Sequence, residues 1–270
     1  LGALLLAGAG MSASAGQGAT SAAGSFVRPA GGLFVPPALA AELARVDSVE
    51  VLIGLADEVA DTAALPDLQA AASRVQRAVL AEYGAPDLEV VQRYRNFPIL
   101  HARLTAQGLV RLAADPRVVS IEKVVKVFPL APALRPALMP EGRVTVGADR
   151  VFQEWGLDGT GVGVAVLDTG IDNDHKDFEG AIAAQACFSE GSRSCAPRNL
   201  PKSDNAEDEY GHGTAVSSMV LGRGVTKGIN EANQQVTALG IAPRATLLAV
   251  RVFRDNGGAY DPDIVSGLDW

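Results

Sequence analysis

The alternation of apolar and polar residues predicts a regular unit in the first half of the chain. Its predicted elements are a strand over 48–56, a helix over 65–84, two strands within 88–105, a helix over 105–116 and a strand over 117–128. Thr105 stands where the second of these helices needs an N-cap. The order β-α-β-β-α-β is typical of the split βαβ, ferredoxin-like fold, so residues 48–128 are expected to form one α+β domain.

A proline-rich stretch separates this domain from the rest of the chain. Residues 129–140 read PLAPALRPALMP, and four prolines in so short a stretch exclude a helix or a central strand. We therefore expect an exposed linker at these residues, which is a natural place for proteolytic cleavage.

Residues 141–270 show a different pattern, in which continuously apolar strands alternate with helices. The predicted elements are a helix over 148–157, a strand over 161–168, a helix over 213–222, a strand over 245–253 and a helix over 261–270. Asp261 is expected to be the N-cap of the last helix, with Pro262 in its first turn. Strands that are apolar throughout are buried on both faces, so the predicted fold class is α/β, with a mostly parallel sheet and helices on both faces.

The start of the chain is typical of a targeting segment. The apolar run LGALLLAGAG is followed by Ala13 and Ala15 in the pattern of a signal-peptidase site. Residues 1–15 are therefore expected to be the tail of a secretory signal whose charged n-region is missing, and an Ala-rich irregular end is the alternative. The run is too short to span a bilayer. Residues 16–47 are expected to be a flexible leader, and the protein to be secreted or periplasmic.

Charge is distributed unevenly along the chain. Basic and acidic side chains balance in the first 140 residues, so the net charge of −8 belongs to residues 141–270. This asymmetry suggests two units of different character. Nucleic acid is not an expected partner, because binding of its phosphates requires a basic face.

Two cysteines occur, Cys187 and Cys195, in the segment CFSEGSRSC. In an exported protein they could close a small surface loop by a disulfide. Two free thiols are the alternative, because the sequence does not show whether the two side chains meet with the required geometry.

The stretch VGVAVLDTGID, residues 162–172, ends an apolar strand on a charged group. In open parallel sheets, ligands and catalytic groups lie at the carboxyl ends of the strands, and Asp168 is expected at that edge. Gly170 allows the chain to turn sharply after it. A buried aspartate needs a partner. Asp168 is thus either a catalytic group or a cap that accepts hydrogen bonds from its own turn.

A second stretch, DEYGHGTAV at residues 208–216, favours the catalytic interpretation of Asp168. His212 stands between two glycines, which allow tight backbone conformations just before a helix of small residues. Of the other histidines, His101 falls inside a predicted strand and is expected to be structural. His175 lies in the acidic segment DNDHKDF, where a turn residue is expected.

The segments VAVLDTGID and GHGTAV, in this order, resemble the aspartate and histidine motifs of the subtilisin-like serine proteases, the subtilases. GIAPRATLLAVRVF at residues 240–253 resembles the strand that follows the histidine helix in that family. NFPILHARLTAQGLVRLAADPRVVSIEK at residues 96–123 resembles the family's inhibitory propeptide. The resemblance covers residues 48–270 and implies a propeptide followed by the incomplete amino-terminal part of a subtilisin-like catalytic domain.

The resemblance also implies roles for individual residues. Asp168 would be the aspartate and His212 the histidine of a Ser-His-Asp triad. The order Asp, His, Ser is that of subtilisin. The implied activity is that of a serine endopeptidase that acts on polypeptides and needs no cofactor for its chemistry. The propeptide, residues 48–128, would inhibit the enzyme in cis until the linker at 129–140 is cut.

The chain departs from the family pattern in three places. Residues 215–218 are AVSS where the family usually has histidine, valine, alanine and glycine, and the stretch between Asp168 and His212 is longer than in compact subtilisins. The GTSMA-like motif of the nucleophilic serine does not occur. We expect the nucleophile and the oxyanion asparagine after Trp270, and the 270 residues alone to be inactive.

The segment DHKDF also resembles the loop in which subtilisins carry a calcium-binding aspartate. Asp177 is therefore a candidate ligand of a structural calcium ion, although such ions require several oxygen ligands. A solvated acidic turn is the alternative. The acidic run of Asp204, Glu207, Asp208 and Glu209 is expected to be solvated surface rather than a metal site.

Three rival functions follow from the same residues. A nucleotide-binding domain is disfavoured because the glycines of GTGVGVAV precede the strand instead of following it. A catalytically inactive pseudoprotease or propeptide-type interaction protein would lack a serine in a Gly-Thr-Ser context after Trp270. A metal-dependent hydrolase using Asp168, His212 and a nearby carboxylate would be inhibited by a chelator but not by a serine-directed reagent.

Overall fold

The computed structural model describes residues 4–8, 33, 35–56, 63–128, 139–190, 193–197, 200–229, 234–255 and 257–270. The strands are β1 (Leu4–Gly8), β2 (Val49–Leu55), β3 (Leu88–Arg93), β4 (Ile99–Leu104), β5 (Val118–Lys123), β6 (Lys126–Val127), β7 (Gly163–Asp168), β8 (Ile182–Phe188), β9 (Lys202–Ser203), β10 (Arg223–Ile229), β11 (Gln235–Leu239), β12 (Thr246–Arg251) and β13 (Ala259–Tyr260). The helices are α1 (Pro37–Leu43), α2 (Leu65–Leu80), α3 (Ala106–Ala113), α4 (Met139–Thr145), α5 (Ala148–Trp155), α6 (His212–Leu221) and α7 (Asp261–Asp269), and a 3-10 turn spans Lys176–Phe178.

The chain divides into two compact units. The amino-terminal unit comprises residues 15–125, and the carboxyl-terminal unit comprises residues 126–268 together with β1. The boundary falls after β5, so β6 belongs to the carboxyl-terminal unit although the sequence assigned it to the first domain. Within the described ranges, no helix is long and apolar enough to cross a membrane.

The amino-terminal unit has the β-α-β-β-α-β order that its apolar pattern predicts. Its antiparallel sheet has the strand order β3-β4-β2-β5. Every second side chain of β2 is buried, including Val51 and Ile53, which is the alternation expected of a strand with one buried face. These side chains form a single core with Val79 of α2 and Leu112 of α3.

Helix α1 lies in the stretch that the sequence assigned to a flexible leader. Leu39 and Leu43 are four residues apart, so they lie on the same face of α1, and both are buried in the core of the amino-terminal unit. The prediction of a flexible leader is therefore wrong for residues 37–43. The Ala- and Pro-rich composition concealed a short apolar face. Most of the preceding leader lies outside the described residues.

Two predicted boundaries also change. Helix α2 ends at Leu80 because the following backbone N–H groups turn back to the carbonyl of Val79. The single strand predicted over 117–128 is two strands, since β5 pairs with β2 whereas β6 pairs with β13. Val124 and Val125 join the two strands without a turn signal, so the sequence did not reveal this change of partner.

The carboxyl-terminal unit contains a five-stranded sheet in the order β1-β7-β12-β8-β9. The three central strands β7, β12 and β8 are parallel, and β1 and β9 are antiparallel edges. The predicted α/β fold class with a mostly parallel sheet is confirmed. Strand β1 comes from the predicted signal segment, residues 1–15, and the other residues of that segment lie outside the described ones.

Helices cover both faces of this sheet. On one face, Val166 of β7 and Leu247 of β12 cluster with Leu221 of α6. On the other face, Leu167 and Val250 of the same two strands cluster with Ile264 and Leu268, both from α7. Neighbouring side chains of a strand point to opposite faces. The apolar runs of β7 and β12 therefore serve two cores at once.

Helix α7 begins one residue earlier than an N-cap at Asp261 would require. Tyr260 is the N-cap, with an extended backbone and no side-chain capping bond, and Asp261 is the first helical residue. The N-cap prediction for Asp261 is therefore wrong. Tyr260 is still part of β13, so the chain passes directly from strand to helix at this point.

The cap of α3 at Thr105 is a testable local contribution to stability. The Thr105 side chain accepts a hydrogen bond from the backbone N–H of Gly108 at 3.1 Å. Thr105→Ala removes this acceptor and should cost about 1 kcal/mol. Amide hydrogen exchange at Leu109 and Leu112 should then be about fivefold faster, because local opening becomes easier. Thr105→Ser keeps the acceptor and should exchange like the parent chain, and unchanged exchange in Thr105→Ala would contradict the capping role.

Candidate active site

Asp168 is the last residue of β7, at the carboxyl edge of the three parallel strands. The residue is buried. Its backbone carbonyl accepts from the N–H groups of Val252 and Phe253 at 2.9 and 3.1 Å, which fixes it to the end of β12. Its side-chain Oδ1 accepts from the N–H of Thr169 at 2.7 Å. The side chain therefore caps its own turn, as one of the two sequence interpretations proposed.

His212 is the first residue of α6, and its ring meets the same carboxylate. The His212 Nδ1 and the Asp168 Oδ1 are 2.7 Å apart, and both side chains are largely buried. The capping and catalytic interpretations of Asp168 are thus not exclusive, because one carboxylate has enough acceptor sites for both partners. With Nδ1 engaged, Nε2 is the nitrogen left for a reacting group.

Two backbone segments hold this pair together: the turn after Asp168 and the segment that leads into His212. The Thr169 hydroxyl accepts from the N–H of Gly213 at 2.8 Å, and the Thr214 hydroxyl accepts from the N–H of Asp172 at 2.9 Å. The backbone of Ile171 pairs in both directions, donating to Ala206 at 2.8 Å and accepting from Asp208 at 3.0 Å. The aspartate and the histidine therefore belong to one hydrogen-bonded block.

Glycine is required at the two points where these segments touch. A Cβ on Gly213 would lie only 2.8 Å from the backbone N of Gly170. Gly170 itself has a φ of +118°, and a Cβ there would lie 3.0 Å from the carbonyl oxygen of Glu207. The glycines of the two motifs thus allow one backbone to lie directly on the other, rather than only giving the imidazole room.

Asp208 supports the histidine from the preceding turn. Its Oδ1 accepts from the N–H groups of Tyr210 and Gly211 at 3.0 and 2.8 Å. Its Oδ2 accepts from the N–H and the hydroxyl of Thr214 at 2.9 and 2.6 Å. One carboxylate therefore bonds to donors on both sides of His212.

Burial disfavours the ionised form of Asp208, but the hydrogen bonds from Thr214, Gly211 and Tyr210 outweigh it, and the pKa of the carboxyl is lowered. The sequence analysis missed this residue because it stands in an acidic run that is typical of solvated surface. The prediction of a solvated carboxylate is wrong for Asp208. The signal that could have revealed it is the threonine six residues later, inside the first turn of a predicted helix.

The remaining candidate residues make no hydrogen bond to Asp168 or His212 among the described contacts. Asp177 is buried, and its Oδ1 accepts from the N–H groups of Val225 and Thr226 at 2.6 and 2.9 Å. This oxygen anchors β10 instead of facing other oxygen ligands. In the part of the chain that the structure describes, no group of three or more His, Cys, Asp or Glu side chains could hold a metal ion. The assignment of Asp177 as a calcium ligand stays a prediction.

The other two histidines have local roles. His175 accepts from the N–H of Asp177 at 3.3 Å through Nδ1, and its ring lies 5.2 Å from that of Phe178. His101 is buried in β4 of the amino-terminal unit, with Nε2 3.5 Å from the Glu50 carboxylate. Both positions agree with the structural roles expected of them.

Cys187 and Cys195 form a disulfide, with their Cα atoms 5.7 Å apart. Cys187 lies at the end of β8, and both cysteines are buried. The bridge closes a loop at the same edge of the sheet that carries Asp168, because β8 and β7 flank β12 in parallel.

Comparison with known proteins identifies a family that the part of the chain around this site resembles. Residues 159–270 match the model of the subtilase family, Peptidase_S8. A thermostable alkaline protease of Halalkalibacterium halodurans is 30% identical over 184 residues, which is 68% of this chain and 43% of that protein. An alkaline protease of Alkalihalobacillus alcalophilus is 30% identical over 193 residues, 72% of this chain and 43% of that protein.

A fungal relative matches a shorter stretch. The subtilisin-like serine protease Pen c 2 of Penicillium citrinum is 32% identical over 112 residues, 42% of this chain and 19% of that protein. The chain thus spans less than half the length of these relatives. The matched residues contain both Asp168 and His212, at the sheet edge and with the hydrogen bond described above. The stretch from residue 159 to residue 270, and with it the chain, belongs to the subtilase family.

Proposed function

We propose that this chain is part of a subtilisin-like serine endopeptidase that is made as a secreted precursor and acts on polypeptides. The hydrogen bond between Asp168 and His212, 2.7 Å long and located at the carboxyl edge of a parallel sheet, carries the proposal. The names of the alkaline proteases to which the chain is similar support the same class of reaction.

In the proposed reaction His212 acts as the base. A serine hydroxyl is a weak nucleophile at neutral pH, so Nε2 of His212 takes its proton as the oxygen attacks the peptide carbonyl. The proton then passes to the leaving amine as the peptide bond breaks, and water later releases the acyl group. The serine and the oxyanion asparagine are proposed to follow Trp270, so the 270 residues alone are expected to be inactive. No cofactor takes part in these steps.

Asp168 orients the base throughout the reaction. Its Oδ1 accepts from Nδ1–H of His212, which keeps the proton on that nitrogen and leaves Nε2 free to accept. The carboxylate cannot rotate freely, because the Thr169 N–H binds the same oxygen and β12 holds its backbone. Positive charge that develops on the imidazole is thus met by a fixed negative group.

Residues 48–128, which comprise most of the amino-terminal unit and also β6, are proposed to be an inhibitory propeptide and folding aid. Strand β6, at the end of that segment, pairs its main chain with β13 in the carboxyl-terminal unit, in the way that a bound extended peptide adds a strand to an exposed edge. The similarity to the alkaline proteases also extends into this region, because 184 aligned residues cannot fit within residues 159–270.

Export through a signal at residues 1–15 and an extracellular or periplasmic location belong to the same proposal. The Cys187–Cys195 bridge supports it, since disulfides persist in oxidising compartments. A structural calcium ion at Asp177 would have to bind through Oδ2, because Oδ1 already accepts from two backbone N–H groups.

The catalytic pair is tested in the complete protein. Asp168→Ala and His212→Ala should each reduce kcat for peptide hydrolysis by several orders of magnitude, because each removes part of a unit that works together. His175→Ala changes a histidine outside the pair and should leave kcat within a few-fold of the parent. Substantial turnover by His212→Ala would contradict the proposed function, as would inhibition by a chelator without inhibition by a serine-directed reagent.

The propeptide proposal predicts where the precursor is cut and what the released segment does. Cleavage should fall between about Phe128 and Ala137, after β6 and inside the proline-rich linker, and amino-terminal sequencing of the mature enzyme checks this. The isolated segment 48–128 should inhibit the mature enzyme. A mature terminus before Lys123, or a segment without inhibitory effect, would overturn the assignment.

Asp208 should affect both stability and turnover without touching substrate. Asp208→Asn replaces one carboxylate oxygen with an NH2 group, which cannot accept a hydrogen bond. The lost acceptor is either the oxygen that faces the two Thr214 donors or the one that faces Tyr210 and Gly211. The substitution should lower the free energy of unfolding by about 1–2 kcal/mol. Because the pKa of Asp208 is lowered in the folded state, its contribution is complete above the ordinary carboxyl pKa and is lost as the pH falls through the lowered value.

Thermal unfolding of parent and Asp208→Asn chains between about pH 7 and pH 3 measures this contribution. The difference in melting temperature should shrink toward the acidic end. Glu209→Gln removes the same charge from an exposed neighbouring position and serves as the control. A difference that stays constant across the pH range, or an equal effect of Glu209→Gln, would show that the network around His212 does not depend on ionised Asp208.

A further inference from the structure

A buried charged cluster lies beside β13 and has no part in the proposed proton transfers. The side chains of Arg254 and Asp263 are only 9% and 2% exposed, and the Arg254 Nη2 lies 3.5 Å from the Asp263 Oδ2. The Arg254 guanidinium also lies over the Tyr260 ring, 4.3 Å from its centroid. These three residues form the Arg254 cluster: Arg254 follows the end of β12 by three residues, Tyr260 ends β13, and Asp263 lies in the first turn of α7.

Strand β13 depends on side chains for its position. Among the described strands it pairs only with β6, and the five-stranded sheet does not include it. The segment before it contains Gly257 and Gly258, and the backbone of Arg254 closes that turn by accepting from Gly257 at 2.8 Å and donating to Gly258 at 2.9 Å. The Arg254 side chain reaches from the start of this turn to Tyr260, which follows the turn.

The cluster is also tied to the disulfide loop. Oδ1 of Asp263 accepts from the backbone N–H of Glu190 at 3.0 Å, and Glu190 lies within the loop that Cys187 and Cys195 close. Asp263 thus connects β8, through that loop, with the start of α7. The position of β13 is consequently coupled to the end of the sheet by side chains, namely the Arg254 cluster and the buried Ala259, and not by a main-chain ladder.

Both charged groups of this pair are buried, so each depends on the other for compensation. Burial raises the pKa of the Asp263 carboxyl, although the Glu190 N–H and the Arg254 guanidinium both lower it. The Arg254 Nε and Nη2 and the Asp263 Oδ2 have no hydrogen-bond partner among the described residues. Removing one member of such a pair leaves an uncompensated buried charge, so the pair resists separation.

We propose that Arg254, Tyr260 and Asp263 are positioning residues that hold β13 as a preformed strand for an extended polypeptide. This rests on the proposed function, in which β6 precedes the cut and β13 would bind substrate residues on the amino-terminal side of the scissile bond. Tyr210, two residues before His212, packs against Gly257, because a Cβ added there would lie 3.1 Å from its ring. A correctly placed β13 therefore aligns the polypeptide with the base.

The first test needs no catalysis and uses the 270-residue chain. Arg254→Met keeps a long apolar side chain but removes the cation, and should accelerate amide hydrogen exchange of β6 and of residues 257–261 at least tenfold. Exchange of β7 and α6 should stay within twofold of the parent. Arg150→Met removes an arginine from an exposed ion pair with Glu154 and is the matched control, expected to change neither region.

The second test uses the complete, processed protein and separates binding from chemistry. Arg254→Met should raise KM for a peptide of eight or more residues about tenfold, with kcat within about twofold, because strand pairing is lost while the catalytic pair is intact. A single-residue amide or ester does not reach β13 and should show unchanged kinetics. Arg254→Lys keeps the charge but not the planar stacking, and should lie between parent and Arg254→Met.

Each outcome decides the proposal. Equal losses on long and short substrates, or unchanged exchange at 257–261, would overturn it. If Arg254→Met loses protection of α6 as well, Tyr260→Leu, which leaves the ion pair in place, must show the local acceleration instead, and its failure to do so would also overturn the proposal. If the parent protein hydrolyses no peptide, the proposed function fails, and the exchange experiment still decides whether the Arg254 cluster holds β13.

Discussion

The bond between the Asp168 carboxylate and the His212 imidazole is the constraint to which the carboxyl-terminal unit is adapted. A carboxylate buried at the end of a strand has lost its water and must be compensated by donors. The Thr169 N–H and the His212 ring supply two, each at 2.7 Å. Helix α6 therefore has to begin within one hydrogen bond of the turn that leaves β7, and the chain on either side of both residues has to permit that approach.

The sequence meets this requirement with small residues and hydroxyls. Gly170 and Gly213 remove the Cβ atoms that would otherwise separate the two backbones. Thr169 and Thr214 then place one hydroxyl each between the segments, where each accepts an N–H from the other side. The same Thr214 hydroxyl donates to Asp208, so the carboxylate before His212 and the turn after Asp168 share one network. A short motif thus contains both the reacting group and its support.

This compactness explains which parts of the molecule could be predicted from the sequence. Asp168 and His212 stand in short contiguous motifs whose glycines and threonines bring the two segments together, so the pattern points to them from the sequence alone. Asp208 belongs to the same network, yet its partners are backbone N–H groups, which any residue provides, and an acidic run looks like surface. Apolar periodicity likewise predicted the four sheet strands, α2 and α3 of the amino-terminal unit, and β7, β12, α5, α6 and α7 of the carboxyl-terminal unit. It did not predict β8, β10 or β11.

Periodicity could not predict changes of partner. The residues of β6 follow β5 after only two valines and show the same mixture of apolar and polar residues. They nevertheless pair with β13, some 130 residues later in the chain. Arg254, Tyr260 and Asp263 were invisible for the same reason, since an arginine and an aspartate nine residues apart are ordinary surface residues until the fold buries them together. Composition did not predict α1. Two leucines in an Ala- and Pro-rich stretch were enough to pack this helix against the core of the amino-terminal unit.

The two halves of the proposed site are thus built by different means. The proposed catalytic pair is fixed by backbone: a strand end, a helix start and the hydrogen bonds between them. Strand β13 lies outside the five-stranded sheet and is held by side chains: an ion pair, a ring and the buried Ala259. Backbone contacts require glycine and threonine at set positions, which leaves little freedom in the motif. Side-chain contacts can be made by many combinations of residues. In the proposed protease, the way in which an extended polypeptide is held can therefore change without disturbing the geometry of the proposed base.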